Sequence, residues 1–387
     1  MRTPVLAAVL LAAPLLAACT ENAGSRDATG SDESRTIEVS STDDGCDLSA
    51  TEVPSGTLTF RVTNDGSSVT EFYLLGEDGK RILGEVENIG PQLSRDLVVS
   101  APAGSYVAAC KPGMKGDGIR TDFTVTKSDE EPTAAADDSA VDQALEGYEH
   151  YVREQAEQLV TKTRQFVRLY KAGHDDAARA LYPRARTHWE RIETVAESFG
   201  DLDPRMDARE ADLEPGQKWT GWHRIEKDLW PPASGDHAPT TPRQRDYYAG
   251  DLMTNTETLE SRISGMSFTL DQVANGSRGL LEEVAKGKVT GEEEIWSHTD
   301  LWDFQANVDG ARVAFEGLEP IVEQHDPDLA KTLEARFADL QKLLDGHRTG
   351  AGFVSYDQLS QEQVQQLADA VNALAEPLSH LTGAVLS

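Results

Sequence analysis

His223 and Glu226, in the stretch GWHRIEKDLW at residues 221–230, stand three positions apart, between Trp222 and Trp230 and ahead of a Pro-Pro pair. On a helix that spacing separates the two side chains by only ~60°, so they are neighbours on one face. Trp222, Ile225 and Leu229 form an adjacent apolar stripe. The pair therefore belongs at the edge of the buried face, where inward ligands of a helical bundle sit. Three chemistries fit: a metal half-site, half of a protease motif, or a structural hydrogen bond. Zinc proteases place two histidines around a catalytic glutamate as HExxH. The chain has neither that motif nor its inverse, and no Gly-x-Ser-x-Gly elbow. Proteolysis has no sequence support, while the metal and structural readings stay open.

Every histidine lies beyond residue 140, so metal chemistry based on imidazole is confined to the C-terminal part. In THWERIETVAESFG, His188 and Glu193 are five apart, ~140° around a helix, too far to share a site locally. Trp189, Ile192, Val195 and Phe199 make the buried stripe there, with Glu190, Glu193 and Glu197 as an acidic row beside it. The expectation for such a row is a solvated face. The functional alternative turns one of these glutamates toward His223. His298 is likewise five residues from Asp303, which excludes a local pair.

The N-terminus predicts where these groups work. One basic residue, an apolar run over residues 5–18 and the ending Leu-Ala-Ala-Cys form a secretory signal with a bacterial lipobox. Residues 1–18 are expected to be removed, leaving Cys19 lipid-modified on a polar tether, residues 19–35. No later stretch reaches the ~20 apolar residues of a spanning helix. Acidic residues outnumber basic ones 67 to 36, a formal charge of −31. That sign argues against nucleic acid as a partner and concentrates cations around the protein.

A linker is expected at residues 128–139, within KSDEEPTAAADDSA. Six β-rich runs before it (TIEV, TLTFRVT, EFYLL, DLVVS, SYVAAC and DFTVT) predict a small antiparallel sandwich over 36–127. After it, apolar residues recur at helical spacing, as in Tyr148, Val152, Leu159, Phe166 and Tyr170. Residues 140–387 thus read as an all-α bundle.

GWHRIE matches the GxHxxE signature of the imelysin-like family, in the form carried by an extracytoplasmic component of a bacterial iron-uptake system. YPRARTHWERIETVAESFGDLDPRMDARE, TGEEEIWSHTDLWDFQANVDGA and FVSYDQLSQEQVQQLADAVNALAEPLSHL extend the resemblance over residues 140–387. It implies a metal site of His223, Glu226, Glu190 and Asp207. One imidazole with three carboxylates suits iron, manganese or zinc better than copper(I), and three negative charges favour ferric over ferrous iron. The resemblance further implies a binding protein, not an enzyme, despite the family's place among peptidases. It would receive iron from a secreted haem peroxidase and pass it to a membrane iron permease.

Cys46 and Cys110 are the only cysteines of the β-rich part. In an exported domain such a pair ordinarily forms a disulfide. SYVAACKPGMKGDG, however, resembles the ligand loop of cupredoxins, and the likeness extends over residues 36–127. A type 1 copper centre needs two histidines, and this part has none. The resemblance leaves a second, unconventional metal site of Cys46, Glu71, Cys110 and Met114, for copper or iron, as the alternative to the disulfide. A copper-based, ferroxidase-like activity or a zinc-binding role would be the rival functions.

Overall fold

The computed structural model describes residues 35–128, 138–213, 215–232, 239–350 and 352–387. The signal segment, Cys19, nearly all of the tether and most of the linker lie outside them.

Alternating apolar residues build the first domain. In β4 (Gly56–Asn64), Leu58, Phe60 and Val62 are buried and the residues between them face outward. β1 (Thr36–Ser41), β2 (Cys46–Leu48), β4 and β7 (Ser94–Ala101) form one sheet in the order β2-β1-β4-β7. β3 (Glu52–Pro54), β5 (Thr70–Leu75), β6 (Ile82–Ile89), β8 (Gly104–Cys110) and β9 (Ile119–Thr126) form the other, in the order β3-β9-β8-β5-β6. Phe60 packs between Phe72 and Phe123, with both ring centroids at 5.2 Å. The sandwich is as expected, but it is not wholly antiparallel. β1 runs parallel to β4 and β3 parallel to β9.

The second domain is helical. α1 (Asp138–Lys171) packs against α2 (Asp175–Glu190), α6 (Pro242–Ile263) and α8 (Asp300–His325). α8 is buried along most of its length, which makes it the axis of the bundle. α7 (Leu270–Lys286), α9 (Pro327–Asp345), α10 (Gln361–Leu378) and α11 (Leu381–Val385) complete the packing. Short α3 (Glu193–Glu197), α4 (Asp203–Met206) and α5 (Trp222–Leu229) are threaded between the long helices. No helix among the described residues is long and apolar enough to cross a membrane.

The domains touch along β6 and β7 on one side and α7 on the other. Ser100 N–H donates to Asp271 (3.0 Å), Asn275 Nδ2 to Val98 O (3.0 Å) and Arg278 to Glu85 O (3.1 Å).

Candidate metal centre

α5 carries the GxHxxE residues, and its geometry starts at the glycine. Gly221 precedes the helix with φ +90°, a conformation that L side chains rarely adopt. A Cβ there would stand 2.1 Å from Met206 O. The glycine thus lets α5 lie directly against the end of α4. Thr220 Oγ1 donates to Arg205 O (2.9 Å) and Trp219 Nε1 to Ala208 O (2.7 Å), closing the same seam. The consequence is positional: Asp207, between those anchored carbonyls, meets His223 on the first turn of α5. Trp222 turns into an aromatic core with Phe166 and Tyr182, which fixes the helix from behind.

His223 is fully buried, and its two ring nitrogens have different surroundings. Nδ1 lies 3.3 Å from Glu226 Oε2. Glu226 Oε1 accepts from the backbone N–H groups of Trp296 (3.0 Å) and Ser297 (2.7 Å). Glu226 thus turns Oε2 to the ring while two backbone donors hold Oε1, as a carboxylate behind a metal-bound histidine is held; His223, Glu226 and Glu294 also form a buried group that could itself hold a metal ion. Nε2 has no hydrogen-bond partner, yet it faces Asp207 Oδ1 at 3.4 Å and Glu293 Oε1 at 3.3 Å. Ligand atoms ~2.0–2.1 Å from one tetrahedral ion are about that far apart. Asp207, His223 and Glu293 are all buried and could hold one metal ion.

Glu190 stands one step further out. It forms a third group with Glu193, Asp207 and Glu293, and all four are buried. At Glu190 and Glu193 the solvated row expected here is not found, because α2 ends at Glu190 and the helix is interrupted before Glu193 opens α3. Both carboxylates turn inward onto Lys288, Glu190 at 3.1 Å and Glu193 at 2.8 Å. His188 is kept apart from them, with Nδ1 2.8 Å from Gln155.

Arg186 threads the centre. Its guanidinium donates to Asp207 and Glu190, and approaches Glu293 (3.3 Å), Glu294 (2.7 Å) and Asp303 (3.4 Å). Glu190, Glu193, Asp207, Glu226, Glu293, Glu294 and Asp303 thus surround two buried cations, Arg186 and Lys288. Burial, reinforced by the neighbouring carboxylates, pushes the carboxyls of Glu190, Glu294 and Asp303 well above their ordinary range. For His223, burial and Arg186 act to lower the pKa. Asp207, Glu226 and Glu293 overcome them and hold it well above the usual imidazole value. Protons supply positive charge that the surplus of carboxylates calls for, and a multivalent cation can replace them.

Sequence reasoning missed Glu293, Glu294, Arg186, Lys288 and Asp303. The run Glu292–Glu293–Glu294 was the available signal, but only Glu292 of the three is exposed. Nothing in YPRAR distinguishes buried Arg186 from exposed Arg184.

In the β domain, Cys46 and Cys110 are joined as a disulfide, with Cα atoms 5.4 Å apart. Neither sulfur is a free thiolate, so the second metal site considered from Cys46, Glu71, Cys110 and Met114 lacks its sulfur pair. Cys110 lies opposite Phe72 in the β5–β8 register and faces the core. Glu71 accepts from Tyr73 (2.6 Å) and pairs with Lys111 (3.7 Å), while Met114 is 40% exposed. Among the described residues, the groups able to hold a metal all lie in the helical domain.

Known proteins share both halves. The imelysin family matches residues 144–381 and the cupredoxin-like domain family residues 6–125. The iron uptake system component EfeO of Escherichia coli K12 is 36% identical over 355 residues, 90% of each chain, as is that of Shigella flexneri. A candidate iron-regulated protein A precursor from Parabacteroides distasonis shares the fold at 14% identity and a TM-score of 0.50. That match covers 66% of this chain and 97% of the other. The seam that brings Asp207 to His223 is thus built in a chain that belongs to the imelysin family, in the two-domain architecture of EfeO.

Proposed function

We propose that this chain is an iron-binding component of an uptake system, holding the ion at His223, Asp207 and Glu293. Glu226 orients the imidazole, and Glu190 and Glu193 complete the surrounding charge. The observation that carries the reading is His223 Nε2: buried, without a hydrogen-bond partner, and facing two carboxylates. Hard oxygen ligands with one imidazole suit ferric or ferrous iron, and zinc as the competitor. The similarity to EfeO supports iron as the cargo.

In this reading the protein is exported and anchored through Cys19 to the outer face of the cytoplasmic membrane. It takes iron from a secreted haem peroxidase and delivers it to a membrane permease. No bond in the cargo is broken, so the role is binding and not catalysis. Calorimetric titration with chelate-buffered ferric iron and with zinc, beside a His223→Ala variant, tests it. Saturable iron binding lost in the variant is expected, and equal binding by both proteins would sink the reading.

A further inference from the structure

The members of the ligand cluster nearest to solvent are Asp207 and Glu293, each 8% exposed, while His223, Glu190 and Glu226 are fully buried. An ion passing between solvent and His223 Nε2 meets those two carboxylates at the outer edge. Glu293 divides its oxygens between inside and outside. Oε1 faces His223 Nε2 and Arg186, at 3.3 Å each. Oε2 faces Nη1 of Arg209 at 3.7 Å.

Arg209 differs from the other cations of the centre. Arg186 and Lys288 are buried, and each is held by at least two acids at closer range. The Arg209 side chain is 32% exposed, and its contact with Glu293 is long. A pair of this kind, partly in solvent, is worth little and breaks readily. Exposed side chains also change rotamer within nanoseconds. A second partner lies outside: Nε donates to Asp212, itself exposed, at 2.6 Å. The backbone around Arg209 is pinned, since Trp219 Nε1 donates to Ala208 O and Lys227 pairs with Glu210. Movement is thus confined to the side chain. Gly287, which follows α7, leaves room for it. A Cβ there would stand 3.0 Å from Arg209 Nη1 and 3.5 Å from Glu293 Oε2.

We propose that Arg209 is the gate residue of the metal centre. Its guanidinium covers the outward oxygen of Glu293 in the empty protein, yields that oxygen to an entering cation by swinging onto Asp212, and returns to it as the ion leaves. Arg209 thereby opposes capture and promotes release, as reversible carriage requires. Because repulsion scales with charge, it also tilts the site against trivalent relative to divalent ions. The inference rests on the metal reading of His223.

Stopped-flow mixing of the full chain with Co²⁺, followed by quenching of the tryptophan fluorescence, reads entry, and release of that Co²⁺ into excess EDTA reads exit. Trp189, which donates to Asp207 at 2.7 Å, is close enough to report. Arg209→Gln removes the charge and keeps the length. It should bind Co²⁺ about threefold faster and release it about threefold more slowly, about tenfold tighter overall. Repulsion by a fixed charge then requires about thirtyfold tighter equilibrium binding of Fe³⁺ buffered by nitrilotriacetate, the three-halves power of the Co²⁺ effect. Arg209→Lys restores the charge and should return both Co²⁺ rates to within about twofold of wild type. Weaker binding in both variants, with no dependence on ion charge, would make Arg209 a structural brace. That result, or rates unchanged by Arg209→Gln, overturns the gate while the site reading survives. A wild-type Co²⁺ signal identical to that of His223→Ala overturns both.

Discussion

Asp207 is held in common by His223 and Arg186: its Oδ1 lies 3.4 Å from the imidazole Nε2 and accepts a hydrogen bond from the guanidinium. One carboxylate thus connects the ring that would take a metal to the cation that neutralises its surroundings. Trp189 Nε1 donates to the other oxygen at 2.7 Å, so the carboxylate is fixed in orientation.

Removing this shared charge should separate ligand from support. Asp207→Asn and Glu293→Gln are expected to weaken metal binding by at least about a hundredfold. Glu226→Gln, which acts behind the ring, should cost about 10–100-fold. Titration of the three variants against wild type checks the order. A Glu226 variant more damaging than both others would move the ion to the Nδ1 side of the ring.

Gly221→Ala touches no ligand, yet it should disable the site. The added methyl meets Met206 O at 2.1 Å, and φ +90° already strains any L side chain. Backbone strain alone costs about 1–3 kcal/mol, and relief requires α5 to move away from Asp207. Thermal unfolding should show the loss, and metal affinity should fall about tenfold or more. Wild-type affinity in this variant would refute the close-approach argument.

Metal binding should release protons near neutral pH. Asp207, Glu226 and Glu293 hold the His223 pKa above its ordinary value, so the empty protein keeps the imidazolium. The stabilisation from that cation is complete below ~6.5, the unfolded value, and is lost as pH rises through the raised one. A metal at Nε2 must displace the proton, so affinity should rise about tenfold per pH unit over the range in which the imidazole is protonated. Calorimetry in two buffers of different ionisation heat should give about one proton or more per ion. A count of zero would contradict the protonated ring.

The Cys46–Cys110 bridge closes a loop of sequence separation 64. Chain entropy assigns such a loop about 4 kcal/mol of stability. Cys46→Ser with Cys110→Ser should lower the unfolding temperature of the β domain while leaving metal binding at His223 within about twofold. A large loss of metal binding would instead give the sulfurs a direct part.

The parts of this molecule differ in how openly the sequence shows them. Helical periodicity around Tyr148 and strand alternation around Phe60 follow from burial of one face, so both domains were legible. The spacing of His223 and Glu226 placed them together for the same reason. β6 was not legible: Gly84, Glu85, Glu87 and Asn88 interrupt the alternation, and its residues are buried or half-buried along the whole strand, where it borders α7. The interruption of the helix after Glu190 has no proline or glycine to announce it. Glu293 and Lys288 carry charges that ordinarily signal solvent. Their burial depends on partners distant in sequence, and no local pattern encodes that.

Arg186 has one more implication. A molecule that hands its cargo on must survive being empty, and a shell of buried carboxylates without its ion would fly apart by repulsion. A permanent guanidinium among those acids, with Lys288 beside it, offsets that repulsion, as the proposed carrier would need in its unloaded form. An enzyme that never parts with its metal needs no such understudy.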